Sequence, residues 1–477
     1  MLDFFYHRGS CWLQHWLSFG CVCLLAAGLT AAALLPCGGE IFLRSTFAAD
    51  YHTEVVPMAG KVAAAQGILL GLGFLGTLYS YRHRLSLFRF LHPLLLLGSV
   101  SVLVQAFLSR GDSYDKHLLF LLAGAVLLAG MAVAGTVQPG KRACLLLFGV
   151  QVFLTLLVLL FGATHGGNCS WVSLFGVSFQ PGELQKALVL LSFAVSYPHL
   201  EAEGRMLAAY LASSGIVVLG LLLGHDVGNA AVVGVLLLVT LLCFRPRVGL
   251  PLVGGGAALG ACALLLSAKV RSRFFMVAQV MASPDTESYG QLRRFLLGLL
   301  RGGLLGTGTA DGCYTPVTYV KNAPDDFALL TMLSIFGAAG GVFLLMLLFG
   351  LVRESLRDGE SPRLLMTRGL CAVLLLVQAA THVGATLNLI PFTGMTFPLL
   401  STGGSAILST CAVCGVMLST AMPETLFTAA NRAASAAEER VEPWLDRLEE
   451  RVRDAQERLA SAMYEEEEDD DDDEGWE

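Results

Sequence analysis

The sequence predicts an all-α polytopic membrane protein. Of 477 residues, 55% are hydrophobic and only 14% are charged, against roughly 25% charged in a soluble domain. Mean hydropathy is +0.65. Apolar runs long enough to cross a bilayer as helices recur from one end of the chain to the other. Within hydrocarbon, only a helix or a closed barrel satisfies every backbone N–H and C=O, and runs of this length point to helices.

Twelve segments qualify as spans, near 15–37, 61–81, 90–108, 117–137, 143–163, 184–199, 206–223, 228–244, 249–267, 327–352, 369–390 and 404–422. The N-terminal stretch lacks a small-residue cleavage site after a short apolar core, so the first run reads as a retained anchor. Lys and Arg gather in cytoplasmic loops. Arg82 and Arg84 follow the second span, Lys141 and Arg142 the fourth, Arg205 the sixth, Arg245 and Arg247 the eighth, and Arg353, Arg357, Arg363 and Arg368 the tenth. These loops alternate, so one orientation satisfies them all, and it places both termini in the cytoplasm.

The formal net charge of −7 comes from the end of the chain, where ten consecutive acids occupy 465–474. Such a run is expected to be disordered, because like charges repel and nothing apolar remains to bury. Before it, Val441, Leu445, Leu448, Val452, Ala455 and Leu459 form a short heptad-like stripe flanked by Glu and Arg, suited to a partner, to self-association or to the membrane surface. Most of the 12 Cys lie in apolar segments. Cys411 and Cys414 read as small hydrophobes, since the other ligands of a metal site are missing nearby. No nucleotide-binding motif occurs, and no nucleic-acid partner is expected.

The non-cytoplasmic loops hold the unusual residues. Gln180-Pro181 reads as a helix start, and Glu183 and Lys186 then share one face of that helix. Ionisable groups at membrane depth are costly and face a cavity or a partner, although this pair also suits a purely structural role. Asn168-Cys169-Ser170-Trp171 precedes it. Asp226 sits in a very short hairpin, and Asp325-Asp326 stands before the tenth span. Each also fits plain helix capping. Ser401, Gly403, Gly404 and Ser405 lead into the last span. The longest loop, 268–326, is glycine-rich and carries Lys269, Arg271, Arg273, Arg293, Arg294, Arg301 and Lys321. Seven cations against the positive-inside trend point to an anionic ligand, with lipid headgroups as the plainer explanation.

These motifs, in this order, resemble the SEDS family, which includes FtsW, RodA and SpoVE. The family's Q-P-S-E-x-x-K is matched at Gln180, Pro181, Glu183 and Lys186, and its Q-P-D-L-G-T-A more loosely at Asp226, Gly228 and Ala230. S-G-G-L-x-G-x-G is matched at Gly302, Gly303, Leu304, Gly306 and Gly308, and T-D-F at Asp326 and Phe327, with Gly337 further on. P-x-T-G-x-x-x-P-x-x-S-x-G-G-S is matched at Pro391, Thr393, Gly394, Pro398, Ser401, Gly403, Gly404 and Ser405. The match covers about 90–422. Departures include Gly182 for Ser, Gly224-His225 for Gln-Pro, Arg294-Phe295 for Gln-Ser, Ser170 for an Arg, Ser334-Ile335 for a Glu pair and His382 for an Asn.

The resemblance implies a ten-helix core over 89–422, preceded by a two-helix extension over 1–88 and followed by an amphipathic cytoplasmic helix (423–464) and the acidic tail (465–477). It also implies a peptidoglycan glycosyltransferase of the bacterial cytoplasmic membrane, joining lipid II units on its outer face beside a class B penicillin-binding protein. The catalytic residues it implies are Asp326, Glu183 and Lys186. Trp171, Asp226, Arg294, Arg301, Ser401, Gly403, Gly404 and Ser405 would contact substrate. A divalent cation, Mg or Mn, is a further option beside Glu183. The rival readings are a lipid II flippase or other transporter and an inactive scaffold.

Overall fold

The computed structural model describes residues 10–34, 40–44, 53–57, 59–108, 112–165, 168–174, 177–266, 302–306, 328–356, 361–387, 390 and 394–471. In chain order the elements are α1 (Ser10–Leu34), β1 (Glu40–Arg44), β2 (Thr53–Pro57), α2 (Ala59–Arg82), α3 (Phe88–Leu108), α4 (Asp112–Ala134) and α5 (Lys141–Phe161). Then come β3 (Ala163–His165), β4 (Asn168–Leu174), β5 (Val177–Phe179), α6 (Pro181–Ala202), α7 (Gly204–Leu223), α8 (Val227–Phe244) and α9 (Pro246–Leu266). The last four are α10 (Ala328–Ser355), α11 (Pro362–Thr386), α12 (Gly404–Ser419) and α13 (Glu424–Asp471). A helix, α1 to α12, covers each segment read as a span. Among the described residues, nine helices are long and apolar enough to cross a membrane, and α12 is a shorter apolar helix. The chain is a multi-pass helical membrane protein.

The helix at the centre is not among those nine. Fifteen of the 22 residues of α6 are buried, including Glu183, Gln185, Lys186, Ser192 and Ser196. It packs against α4, α5, α7, α8, α11 and α12. Polar side chains lower its hydropathy, and the surrounding helices shield them from lipid. A hydrogen-bonded chain follows its flank. Gln185 Nε2 donates to Thr155 Oγ1 at 2.8 Å, and Gln151 Nε2 donates to Ser192 Oγ at 2.6 Å.

Small residues bring the helices together, as expected where lipid removes the hydrophobic drive for helix association. The α4–α12 pair is the most intimate. A Cβ on Gly415 would lie 2.5 Å from the Leu128 carbonyl oxygen, and one on Gly124 would lie 2.7 Å from Cys411 Sγ. Cys411 and Cys414 are accordingly buried packing residues. The first two helices are pinned to α3 by histidines. His92, buried, lies 2.6 Å from Ser18 Oγ and 3.0 Å from Thr77 Oγ1. His15 Nε2 lies 3.1 Å from Ser80 Oγ.

Two features lay outside the sequence reading. The loops at 38–60 and 164–182 carry short antiparallel ladders, β1–β2 and β3–β4–β5. And α13 runs without a break to Asp471, seven residues into the acidic run expected to be disordered. Extending an existing helix needs no new nucleus, and Glu is a good helix former. Its first half docks on the α4–α5 connection. Asn431 Oδ1 accepts from Gln138 N at 2.7 Å, Glu438 accepts from Gly140 N, and Arg142 pairs with Asp446 at 2.7 Å. Between these contacts, Val441 and Trp444 are exposed.

Gly415→Val should lower stability by about 1–3 kcal/mol, the usual penalty of overpacking. Gly130→Ala, with nothing within 4 Å of the added Cβ, should leave the melting temperature in detergent unchanged.

Candidate functional site

The candidate site lies at the end of the bundle where α6, α8 and α12 begin. The β5 strand delivers the chain to it. Val172 pairs with Phe179 in the β4–β5 register, so the ladder ends directly before Gln180 and Pro181. Gln180, in extended conformation, occupies the N-cap position of α6, and Pro181 takes the first turn without wasting an N–H. The Gln180 backbone N–H donates to Ser405 Oγ in the first turn of α12 at 3.0 Å, and its side-chain amide donates to Asp226 Oδ2 at 2.8 Å. One residue therefore joins the starts of three helices, whose partial positive ends favour anions.

Asp226 caps α8. Its Oδ1 accepts from Asn229 N at 3.2 Å and its Oδ2 from Asn229 Nδ2 at 2.9 Å. His225, at φ 61, makes the tight entry into that cap. With Gln180 added, both oxygens of this buried carboxylate are engaged. Gly182 stands where the family has Ser, and a Cβ there would meet Leu221 Cδ2 at 2.8 Å and Asp226 Oδ2 at 3.4 Å. Below lies a cavity of only about 10 Å³ lined by Thr155, Gln185, Gly220 and Asp226 among others, room for about one water.

Behind this capping network, Lys186 Nζ lies 2.8 Å from Glu183 Oε2, with the lysine side chain 0% and the glutamate 6% exposed. Among the described residues, the ammonium has no other hydrogen-bond acceptor. Ser409 of α12 donates to the Glu183 carbonyl at 2.6 Å and locks the turn that carries the pair. An uncompensated charge here would be expensive, so neither member can be removed alone without cost.

The third wall is the segment before α12. Ser401 Oγ accepts from Phe397 N at 3.0 Å and closes that turn, and Gln105 Nε2 donates to Leu400 O at 2.7 Å. Gly404 presses on Phe120, whose Cζ would be 2.5 Å from an added Cβ. Gly403 is the N-cap position of α12. His382 of α11, buried, has Nδ1 2.7 Å from Met395 O, while its Nε2 has no partner among the described residues. In the sequence it stands out as a polar residue in an apolar segment and as a departure from the family's Asn.

Of the residues singled out in the sequence, Glu183, Lys186, Asp226 and Ser405 come together around Gln180, and Ser401, Gly403 and Gly404 shape the adjoining turn. Trp171 is half-buried on β4, in the ladder that feeds α6. Asp325, Asp326, Arg294 and Arg301 lie outside the described residues. The sequence reading missed the bridging side chain of Gln180 and the anchoring role of Ser409. Among the described residues no group of three or more His, Cys, Asp or Glu could hold a metal. Glu183 is paired with Lys186 and Asp226 is committed to capping, so these two carboxylates do not fit a divalent cation.

The FtsW/RodA/SpoVE family model, described as cell cycle protein, matches residues 60–425, from the start of α2 to the start of α13. A probable peptidoglycan glycosyltransferase FtsW from Geobacter sp. (strain M18) is 29% identical over 316 residues, covering 64% of this chain and 85% of the relative. Its counterpart from Haemophilus influenzae is 30% identical over 290 residues, covering 57% and 72%. The crystal structure of the Thermus thermophilus rod shape determining protein RodA aligns at 23% identity with a TM-score of 0.48, covering 69% of this chain and 94% of that one. The family match spans α2 to α12 and every described part of the site: this chain belongs to the FtsW/RodA/SpoVE family.

Proposed function

We propose that the protein is a peptidoglycan glycosyltransferase that polymerises lipid II into glycan strands. The names of the relatives and the matched motifs support this reading. The observation that carries it is the fully buried Lys186, held by a single carboxylate at the end of the bundle where three helix starts meet. That arrangement suits a pyrophosphate leaving group. The site faces the outside of a bacterial cytoplasmic membrane, both termini lie in the cytoplasm, and a class B penicillin-binding protein crosslinks the product. The stripe on α13 serves a further partner.

In the proposed reaction the acceptor sugar hydroxyl attacks the anomeric carbon of the donor. Its proton passes to the Asp326 carboxylate as the new C–O bond forms. The bond from the anomeric carbon to the pyrophosphate oxygen breaks, and the polyprenyl pyrophosphate leaves carrying the electron pair. One displacement converts an α-linked donor into a β-linked glycan, so no covalent glycosyl-enzyme is needed, as in inverting glycosidases. Arg294 and Arg301 offset the charge developing on the leaving group, while Lys186, buried behind the helix starts, holds the first turn of α6 in place through Glu183. Asp325, beside the base, raises its proton affinity by like-charge repulsion.

Broken helices are a transporter feature, and α10 is broken at Gly337. Here the freed amides of Ala338 and Ala339 are taken up by Gly303 O and Leu304 O at 2.9 and 3.0 Å. These two amides at the break are therefore not available to a solute, which disfavours the flippase reading.

The test is polymerisation of purified lipid II, with and without the cognate transpeptidase. Asp326→Ala should abolish polymer while membrane insertion and melting temperature stay unchanged; full activity in that variant would remove Asp326 from the mechanism. Lys186→Met should destabilise the fold by about 3–5 kcal/mol, because it strands a buried carboxylate. The Glu183→Gln/Lys186→Met double variant should recover the melting temperature and still make no polymer. An active double variant would reduce the pair to a structural role.

A further inference from the structure

The turn Gly302–Gly306 and the break in α10 come from distant parts of the sequence and fit each other backbone to backbone. Gly337 sits at φ 66, ψ −165, a region open essentially only to glycine. Its twist ends the first half of α10 and deprives the next amides of their partners one turn back. Ala338 N donates to Gly303 O at 2.9 Å and Ala339 N to Leu304 O at 3.0 Å. The turn is closed on itself by Gly306 N donating to Gly302 O at 2.7 Å. The approach leaves no room for side chains. A Cβ on Gly306 (φ 82) would lie 2.1 Å from Ile335 O, and one on Gly337 would lie 2.3 Å from Gly306 N. Both obstructions are backbone atoms that cannot swing aside.

The half-helix above the break, 328–336, is nine residues and about 13 Å long. Ala328, Leu330 and Met332 are buried and hold it sideways, but its tilt is set at the break. Asp326 lies two residues ahead of its first residue, and Arg301 immediately precedes the turn. We propose that Gly302–Gly306 is a clasp that fixes the tilt of the first half of α10, the helix that follows the proposed base Asp326 in sequence, making Gly306 and Gly337 positioning residues for glycan transfer. This rests on the polymerase reading above. A displacement of about 1 Å in a reacting group can cost on the order of a hundredfold in rate, so a backbone clasp is a suitable device for holding it.

The experiment compares full-length wild type with Gly306→Ala, Gly337→Ala and, as a control on the same helix, Gly350→Ala, where nothing lies within 4 Å of the new Cβ. Hydrogen exchange at the Ala338 and Ala339 amides reads the clasp, and lipid II polymerisation gives kcat and KM per folded molecule. Opening the clasp should speed exchange at those two amides and lower kcat by about a hundredfold, with KM little changed. Gly350→Ala should match wild type in both. Faster exchange with unchanged kcat would overturn the proposal, as would activity lost only in step with the folded fraction. If neither glycine variant folds, a urea titration of the unmodified protein replaces them. Turnover should fall as the two amides open, while α6 amides remain protected; turnover that survives until α6 unfolds would overturn the proposal. A wild type that makes no polymer sinks the function as well as the clasp's part in it, whereas an active wild type with unaffected clasp variants sinks the clasp alone.

Discussion

An ammonium group with no exposure has to be paired before a bundle can close around it, and the architecture follows from that constraint. Lys186 and Glu183 lie three residues apart on α6, so the pair forms within one helix without waiting for tertiary contacts. What tertiary structure must supply is enclosure. Six helices pack around α6, and glycines at the α4–α12 contact let the backbones approach closely enough to seal one side. A polar helix is tolerated in the middle because apolar neighbours take the lipid-facing positions.

The same logic explains why the site is assembled from helix starts rather than from loops alone. Unpaired amides at the first turn of a helix need acceptors, and Asp226 supplies them for α8. Gln180 then donates its backbone N–H to Ser405 and its side-chain amide to Asp226. Capping and site-building are one set of hydrogen bonds. The polar side chains that a ligand would meet are thereby held by groups the fold already requires.

Much of this was legible in the sequence for local reasons. Spans declare themselves by length and apolarity, and α6 declared itself by Gln-Pro followed by a Glu and a Lys on one face. The contacts that were not legible are non-local. Nothing in the residues around Asp226 says that Gln180, 46 positions earlier, donates to it. The match between Gly303 and Ala338 is a pairing of backbones, which leaves only isolated glycines as a trace. The hairpin ladders escaped because their strands are short and their pairing depends on where the flanking helices end. The helical course of α13 into the acidic run goes against like-charge repulsion because extending an existing helix needs no new nucleus.

The pairing of Lys186 with Glu183 has an electrical consequence. A single charge carried across a membrane potential of 100 mV feels about 2.3 kcal/mol. Opposite charges 2.8 Å apart present almost no net charge to that field, so the pair carries negligible gating charge. Among the described residues, the cavity beside it is about 10 Å³, room for about one water. A change in membrane voltage therefore does little net work on the pair when it moves as a unit.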